Sequence, residues 1–510
     1  MIPLLPLRTS TLGPLDKRPN DELQMLLEAL SVEECRSVGL ICSTSKDLRR
    51  LCAQDSTFRL LCKKRGWDRP RLLPPEGDMP WRREFVFRCS ARDTPVGLWH
   101  AEMRTLVLLC GRWPLDSVAD HADPTAETIV LPVGTASVPS DCFRDRRSLR
   151  RVLNMQTVDV IEAGAFHGCW TLQLEELPSG VATIAEEAFQ HCRQLTLSAL
   201  PARLTEIDEF AFKGCTSLAL TALPPNVQTI GMSAFEMCSS LALTRLPAEL
   251  THIGDSAFFE CRLLGLTALP AGLTDIADFT FHGCSSLALR TLPPNVTNIG
   301  EHAFANCSML ALEAIPDGVE MLHDFAFMFC TQLVLPNGLP PNVTYIGART
   351  FFGCQQLALP ELPALLREIS MDAFTQCESL ALPNGLPAVL EQIHSGAFES
   401  CPSLALRILP SGLTSIEERT FRFCGQLALA TLPPEVTEIG NAAFEGCVSM
   451  ALETLPPRLA TIGEYAFRGC HSLALTALPP SLVSIGEGAF DSCPEPVQQL
   501  VAMWRAQREL

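Results

Sequence analysis

The sequence predicts an α+β repeat protein. It has a small helical N-terminal module, a solenoid of about 16 coils with short strands, and a closing C-terminal helix. Three observations predict this. Phe recurs at 166, 189, 212, 235, 258, 281, 304, 327, 351, 374, 398, 421, 444, 467 and 490, with every gap 23 residues except two of 24. Cys follows each Phe three places later, from Cys169 to Cys493. Leu follows each Cys at five places, from Leu174 to Leu475, and an apolar-Pro pair such as Leu223-Pro224 comes next. A coil this short cannot bury its own apolar side. Stacking identical coils turns each apolar position into a continuous column.

The N-terminal module is placed at residues 15–67. Asp21 can cap a helix that carries Leu23, Leu26, Leu27 and Leu30 at helical spacing. Ser31 with Glu34 three places on is a capping-box pattern. A third short helix runs through Leu48 and Leu51, and Phe58, Leu60 and Leu61 form a fourth cluster. That is more apolar surface than a module of about 45 residues can hide, which points to a partner. Residues 68–128 form a connecting segment of unclear fold, in which "WRREFVFRC" and "MRTLVLLCGRW" suit strands or helices equally. His100 and His121 lie here and are read as structural.

The solenoid is placed at residues 129–493. Its first coil is degenerate, with Phe143 one period before Phe166 and Arg146 at the cysteine position. Within a coil, alternating Leu218-Ala219-Leu220 suits a short strand. Leu-Pro-Pro suits a strand end, because Pro lacks a donor N–H. Val296 to Gly300 suits a second short extended piece, and "HAFANC" a single helical turn. Two coils carry one extra residue within "LPNGLP", at Pro336–Pro340 and Pro383–Pro387. There the Asn-Gly signals a turn that bulges outward. Residues 494–510 read as a closing helix with Val497, Leu500, Val501 and Trp504 on one face.

The bulk chemistry excludes several function classes. Residues 1–90 hold 16 Lys/Arg against 12 Asp/Glu, whereas residues 161–510 hold 15 against 36. Most of the chain therefore repels phosphate backbones, and no nucleic-acid partner is expected. No segment reaches the ~18 uncharged apolar residues of a membrane helix, and the short N-terminal apolar run is a poor secretion signal. There are 22 cysteines but no C-x-x-C pair, so zinc-ribbon spacing is absent. A nucleophilic thiol would be one special residue, not fifteen equivalent ones. The ladder cysteines read as small buried hydrophobes with free thiols, in a reducing cytoplasmic or nuclear compartment rather than a secreted protein. The sequons at Asn295, Asn306 and Asn342 would matter only on a secretory route. No catalytic residue, metal site or cofactor is expected.

The coil consensus, as in "IGEYAFRGC" from Ile462 to Cys470 with its preceding L-P-x-x-V/L, resembles the BspA-like class of leucine-rich repeats. The N-terminal module resembles the F-box in Pro19–Leu23, Leu26-Leu27, Ser31–Glu34, Ile41–Leu51 and Asp55–Leu61, without the family's Leu-Pro opening and its tryptophan. The F-box resemblance implies the substrate-recognition adaptor of a cullin–RING ubiquitin ligase. Leu23, Leu26, Leu27, Leu30, Ile41, Leu51, Phe58 and Leu61 would then dock a Skp-type adaptor. The acidic repeats would hold a target protein with a basic surface. The alternative is a non-catalytic structural or adhesive interaction solenoid without a ubiquitin-ligase role.

Overall fold

One coil shows why the coils stack. In the computed structural model, which describes residues 97–100, 105–108, 125–131 and 134–508, a two-residue strand at Thr229–Ile230 buries Ile230 and turns Thr229 outward. A tight segment then carries Phe235 into the core between two left-handed residues, Ser233 (φ 53°) and Met237 (φ 60°). The N–H groups of Ser233, Phe235 and Met237 donate to the carbonyls of Asp255, Ala257 and Phe259 in the next coil, at 2.8, 2.9 and 2.7 Å. The same two positions flank Phe in the other coils, held by Gly where it occurs, as at Gly283 and Gly353.

This segment corrects the expected helical turn. Its bonds run from Glu236 N–H to Ser233 C=O and from Cys238 N–H to Phe235 C=O, so it is a succession of tight turns. Positive φ at two of five residues is incompatible with an α-helix. The amides that a helix would spend internally are spent on the neighbouring coil instead. The expected strand at Leu218–Leu220 is also corrected. Leu218 and Leu220 are buried as expected. However, the segment makes one inter-coil bond, from Ala242 N–H to the Leu220 carbonyl at 3.1 Å, and the following Leu-Pro withholds a donor, so no ladder forms.

The chain forms two compact units, 1–203 and 204–510, with about fifteen turns in all. In the first unit, β1 (Gly97–His100) pairs antiparallel with β2 (Thr105–Leu108). β2 pairs in parallel with β3 (Thr128–Val130), and β3 with β5 (Arg151–Leu153). β4 (Ser137–Val138), β6 (Val160–Ile161) and β7 (Thr183–Ile184) form a second parallel sheet. The region read as ambiguous thus contributes strands at 97–100 and 105–108. Phe143 of the degenerate first coil stacks on Phe166 at 5.3 Å, and Arg146 is buried.

In the second unit every strand has two residues and every pairing is parallel. β8 (Glu206–Ile207), β9 (Thr229–Ile230) and β10 (His252–Ile253) form one sheet, and β11 (Asp275–Ile276) with β12 (Asn298–Ile299) another. β13 (Met321–Leu322), β14 (Tyr345–Ile346), β15 (Glu368–Ile369) and β16 (Gln392–Ile393) form a third. β17 (Ser415–Ile416), β18 (Glu438–Ile439), β19 (Thr461–Ile462) and β20 (Ser484–Ile485) form the last. Phe rings from Phe212 to Phe490 stack nearly parallel behind them, with Phe281 5.7 Å from Phe258 and 5.5 Å from Phe304.

The closing helix is α1 (Glu495–Ala506), with Val497 and Val501 buried on the face the pattern marked. Its C-terminal side serves the open end of the stack. Val483 N–H donates to the Ala460 carbonyl one coil back, at 2.7 Å, and because a helix rather than another coil comes next, the Val483 carbonyl meets a side chain instead of an amide. Arg508 Nη1 donates to it at 2.6 Å, and Arg505 Nη2 donates to Gly486 C=O at 3.0 Å.

Candidate interaction faces

The sixteen described cysteines are free and buried. Each ladder thiol with a printed geometry donates to the carbonyl of the Phe one coil earlier. Cys261 Sγ to Phe235 O is 3.0 Å, and Cys284 Sγ to Phe258 O is 3.1 Å. Burial pushes these thiols up, to about 12 at Cys169, Cys401 and Cys447 and about 11 at Cys493. A protonated thiol aimed at a carbonyl is a donor, not a nucleophile. The reading of a plain hydrophobe missed this hydrogen bond. Among the described residues, no group of three or more His, Cys, Asp or Glu side chains could hold a metal ion, and no helix is long and apolar enough to cross a membrane.

Two outer faces of the second unit carry side chains that can meet a partner. The first is the strand face. Period-two geometry turns the second residue of each two-residue strand inward, buried in all but β20, and the first outward, giving a mixed column in which Glu206, Asp275, Glu368 and Glu438 stand among uncharged residues such as Thr229, Asn298, Tyr345 and Thr461. Around β17–β20 this face sinks into an open groove of about 460 Å³ lined by Ser395, Glu417, Glu418, Glu438, Asn441 and Thr461 among others. Three carboxylates thus share one rim. Glu417 is held in place, since Oε2 accepts from Ser395 N–H at 2.8 Å and Oγ at 2.9 Å, while Oε1 faces His394 Nδ1 at 3.0 Å. His394 Nε2 faces Glu368 Oε1 at 3.2 Å, so the ring bridges two carboxylates.

The second is the turn face, formed by the residues beside each core Phe. At one end Lys213 pairs with Glu236 at 2.8 Å. At the other, Arg422 bridges Glu399 (3.1 Å) and Glu445 (2.7 Å), and Arg468 reaches Glu445 at 3.6 Å. Between them lies an aromatic row at Phe259, Phe279, His282, His302 and Phe325. His302 is sandwiched between Phe279 (4.6 Å) and Phe325 (4.3 Å), and His282 stacks on Phe259 at 4.7 Å. Burial lowers both imidazoles, and His302 lowers His282 further. The sequence reading passed over this row, although Phe259 and His282 stand one period apart at the residue after each core Phe, a register that marks them as neighbours.

The eight residues expected to form a docking surface, Leu23, Leu26, Leu27, Leu30, Ile41, Leu51, Phe58 and Leu61, lie outside the described residues, as does the whole module at 15–67. Asn295 and Asn342 are exposed, whereas Asn306 is half-buried against His282, with Nδ2 3.3 Å from Nε2.

The fold and these faces define a scaffold of stacked repeats. The chain belongs to the BspA type leucine-rich repeat family, whose model matches residues 136–265, 253–381 and 391–501. Among solved structures it is similar to a leucine-rich repeat protein from Bacteroides ovatus, at 23% identity over 82% of this chain and 95% of that one, with a TM-score of 0.46. It is also similar to a leucine rich cell surface protein from Faecalibacterium prausnitzii (21% identity, 74% and 95%, TM-score 0.36). A leucine-rich repeat protein of T. pallidum matches at 26% identity over 43% and 91% of the two chains, with a TM-score of 0.28. At TM-scores this low the likenesses carry no argument by themselves, and the family rests on the match along the sequence. No curated protein matches the chain.

These findings correct the expected function. What the chain matches, over residues 136–265, 253–381 and 391–501, is a BspA-type repeat region, and that match brings no ubiquitin-ligase module with it. That agrees with the alternative, a non-catalytic interaction solenoid, and not with a ubiquitin-ligase adaptor.

Proposed function

We propose that the protein is a non-catalytic interaction solenoid whose strand face receives a basic segment of a partner protein. The observation that carries this reading is the groove along β17–β20, where Glu417, Glu418 and Glu438 share one rim. The surrounding chain supports it, with 36 Asp/Glu against 15 Lys/Arg over residues 161–510. Parallel coils hold these side chains at fixed spacing, so a partner would meet a preorganised surface and little ordering cost would remain on this side. A net negative charge over residues 161–510 speeds encounter with a basic partner and discriminates against acidic ones. Buried thiols held protonated by desolvation support a role in which positioning, not bond-making, is the activity.

The test is fluorescence-anisotropy binding of an unstructured Lys/Arg-rich peptide to the full chain across a salt series. Affinity should fall with salt and should fall several-fold in the Glu418→Gln/Glu438→Gln double variant, whose residues are outside the core. Binding that ignores both salt and the double substitution would overturn the reading.

A further inference from the structure

Asn-Gly occurs twice in the chain, at Asn337-Gly338 and Asn384-Gly385, inside the two one-residue insertions. Both asparagines are exposed, and both glycines adopt positive φ (83° and 85°) with nothing within 4 Å of where a Cβ would stand. Gly338 is nevertheless buried and Gly385 half-buried, so in each loop the glycine nitrogen meets solvent only when its turn opens. Both loops are also strained in the same way. Leu335 (φ 44°) and Leu382 (φ 45°) are left-handed, buried leucines whose carbonyls accept the Gly338 and Gly385 N–H groups at 3.0 Å. A left-handed Leu is unfavourable, so opening that single turn bond relieves strain rather than only losing a contact.

The loops differ at the asparagine. Asn384 Nδ2 donates to Glu361 Oε2 at 3.1 Å, which fixes its side chain along the neighbouring coil. Asn337 has no such tether in its own coil's environment, and its main-chain N–H makes only a long bond, 3.4 Å, to Glu313 C=O.

We infer that Asn337 is a site of spontaneous deamidation and that Glu361 protects Asn384 from the same reaction. The Gly338 nitrogen, freed from Leu335 and deprotonated by solvent, attacks Asn337 Cγ. The new N–Cγ bond closes a five-membered succinimide, and the bond from Cγ to the side-chain nitrogen breaks. Ammonia leaves with the proton it takes up from solvent. Water then opens the ring at either carbonyl, giving aspartate or isoaspartate. The net change is amide plus water to carboxylate plus ammonium, with no oxidant or enzyme required. Each event adds one negative charge to a coil edge of an already acidic chain, and the isoaspartate product lengthens the backbone inside a loop that already holds an extra residue. The inference does not depend on the proposed partner.

The test is incubation of the folded chain at mildly alkaline pH, with peptide mapping by mass spectrometry over time. The Asn337 peptide should gain the mass of amide-to-acid conversion and split into aspartate and isoaspartate forms, several-fold faster than the Asn384 peptide. Glu361→Ala, at an exposed position, should raise the Asn384 rate toward that of Asn337 and leave Asn337 unchanged. Equal rates in the wild-type chain, a faster Asn384, or no conversion at Asn337 would each overturn the inference. Unfolded chain in denaturant serves as reference, because there the two Asn-Gly pairs should convert alike.

Discussion

Cys261 Sγ donates to the carbonyl oxygen of Phe235, 3.0 Å away and one coil earlier. That same oxygen accepts the N–H of Cys238, also at 3.0 Å, closing the turn of its own coil. A buried carbonyl has two lone pairs to satisfy, and the thiol takes the second. Cys261→Ala should therefore destabilise by about 1–3 kcal/mol, through a lost donor and a small void. Cys261→Ser, which keeps a donor, should cost less. Urea unfolding of the two variants checks the order.

The raised thiols predict chemical silence. Cys401 and Cys447, pushed up to about 12 by burial, hold almost no thiolate near neutral pH. The described cysteines should not react with a thiol reagent at pH 8 in the folded chain, and should react promptly once the chain is denatured. Rapid labelling of the native protein at these positions would contradict the hydrogen-bonded geometry.

Phe281 is fully buried, with Phe rings 5.7 and 5.5 Å away on either side. Phe281→Ala removes two stacking contacts and opens a cavity that the neighbouring coils cannot fill without breaking register. A loss of about 3–5 kcal/mol is expected in equilibrium unfolding.

Backbone handedness predicts a pair of opposite effects. Gln376 (φ 62°) is exposed and occupies the place that Gly353 (φ 72°) holds one coil earlier. Gln376→Gly should raise stability by about 1 kcal/mol, because it removes left-handed strain. Gly353→Ala should lower it, since the new Cβ would stand 2.5 Å from Phe329 Cδ1. Thermal unfolding midpoints should move in opposite directions.

His282 and His302 titrate below their ordinary 6.5, chiefly because burial disfavours the charged ring. The unfolded chain therefore binds these protons first. The stability contribution is fully present above pH 6.5 and is lost as pH falls through and below it. Unfolding midpoints measured from pH 8 to pH 5 should decline on the acid side. The decline should be shallower in a His282→Gln/His302→Gln variant.

How much of this was legible depended on what kind of residue carried the signal. Phe, Cys, Leu and Ile mark their columns unambiguously, because each is buried in nearly every coil and so recurs at a fixed interval. The closing helix showed itself through Val497 and Val501 for the same reason. The turn segment was misread as helical because its left-handed positions are only sometimes glycine. Met237, Phe329 and Gln376 hold there the φ that Gly283 and Gly353 advertise. Leu218–Leu220 looked like a strand because alternation reports burial, whereas strand pairing needs donors that the adjoining prolines do not supply. The thiol hydrogen bond was invisible because a buried cysteine looks the same whether or not its proton is used. The strand-face column could be found by register alone. The aromatic row from Phe259 to Phe325 mixes Phe with His at two positions per coil, so no single-column count isolates it.

The Arg508 guanidinium stands where the amide of one more coil would stand, satisfying the Val483 carbonyl. Such an array has no intrinsic length, since every coil presents the template for the next. A chain trimmed before Glu495 would leave that template bare, ready to recruit the first exposed edge it meets on another molecule. The helix at Glu495–Ala506 and Arg508 thus shield an adhesive edge, and cutting them away should raise self-association, read by light scattering.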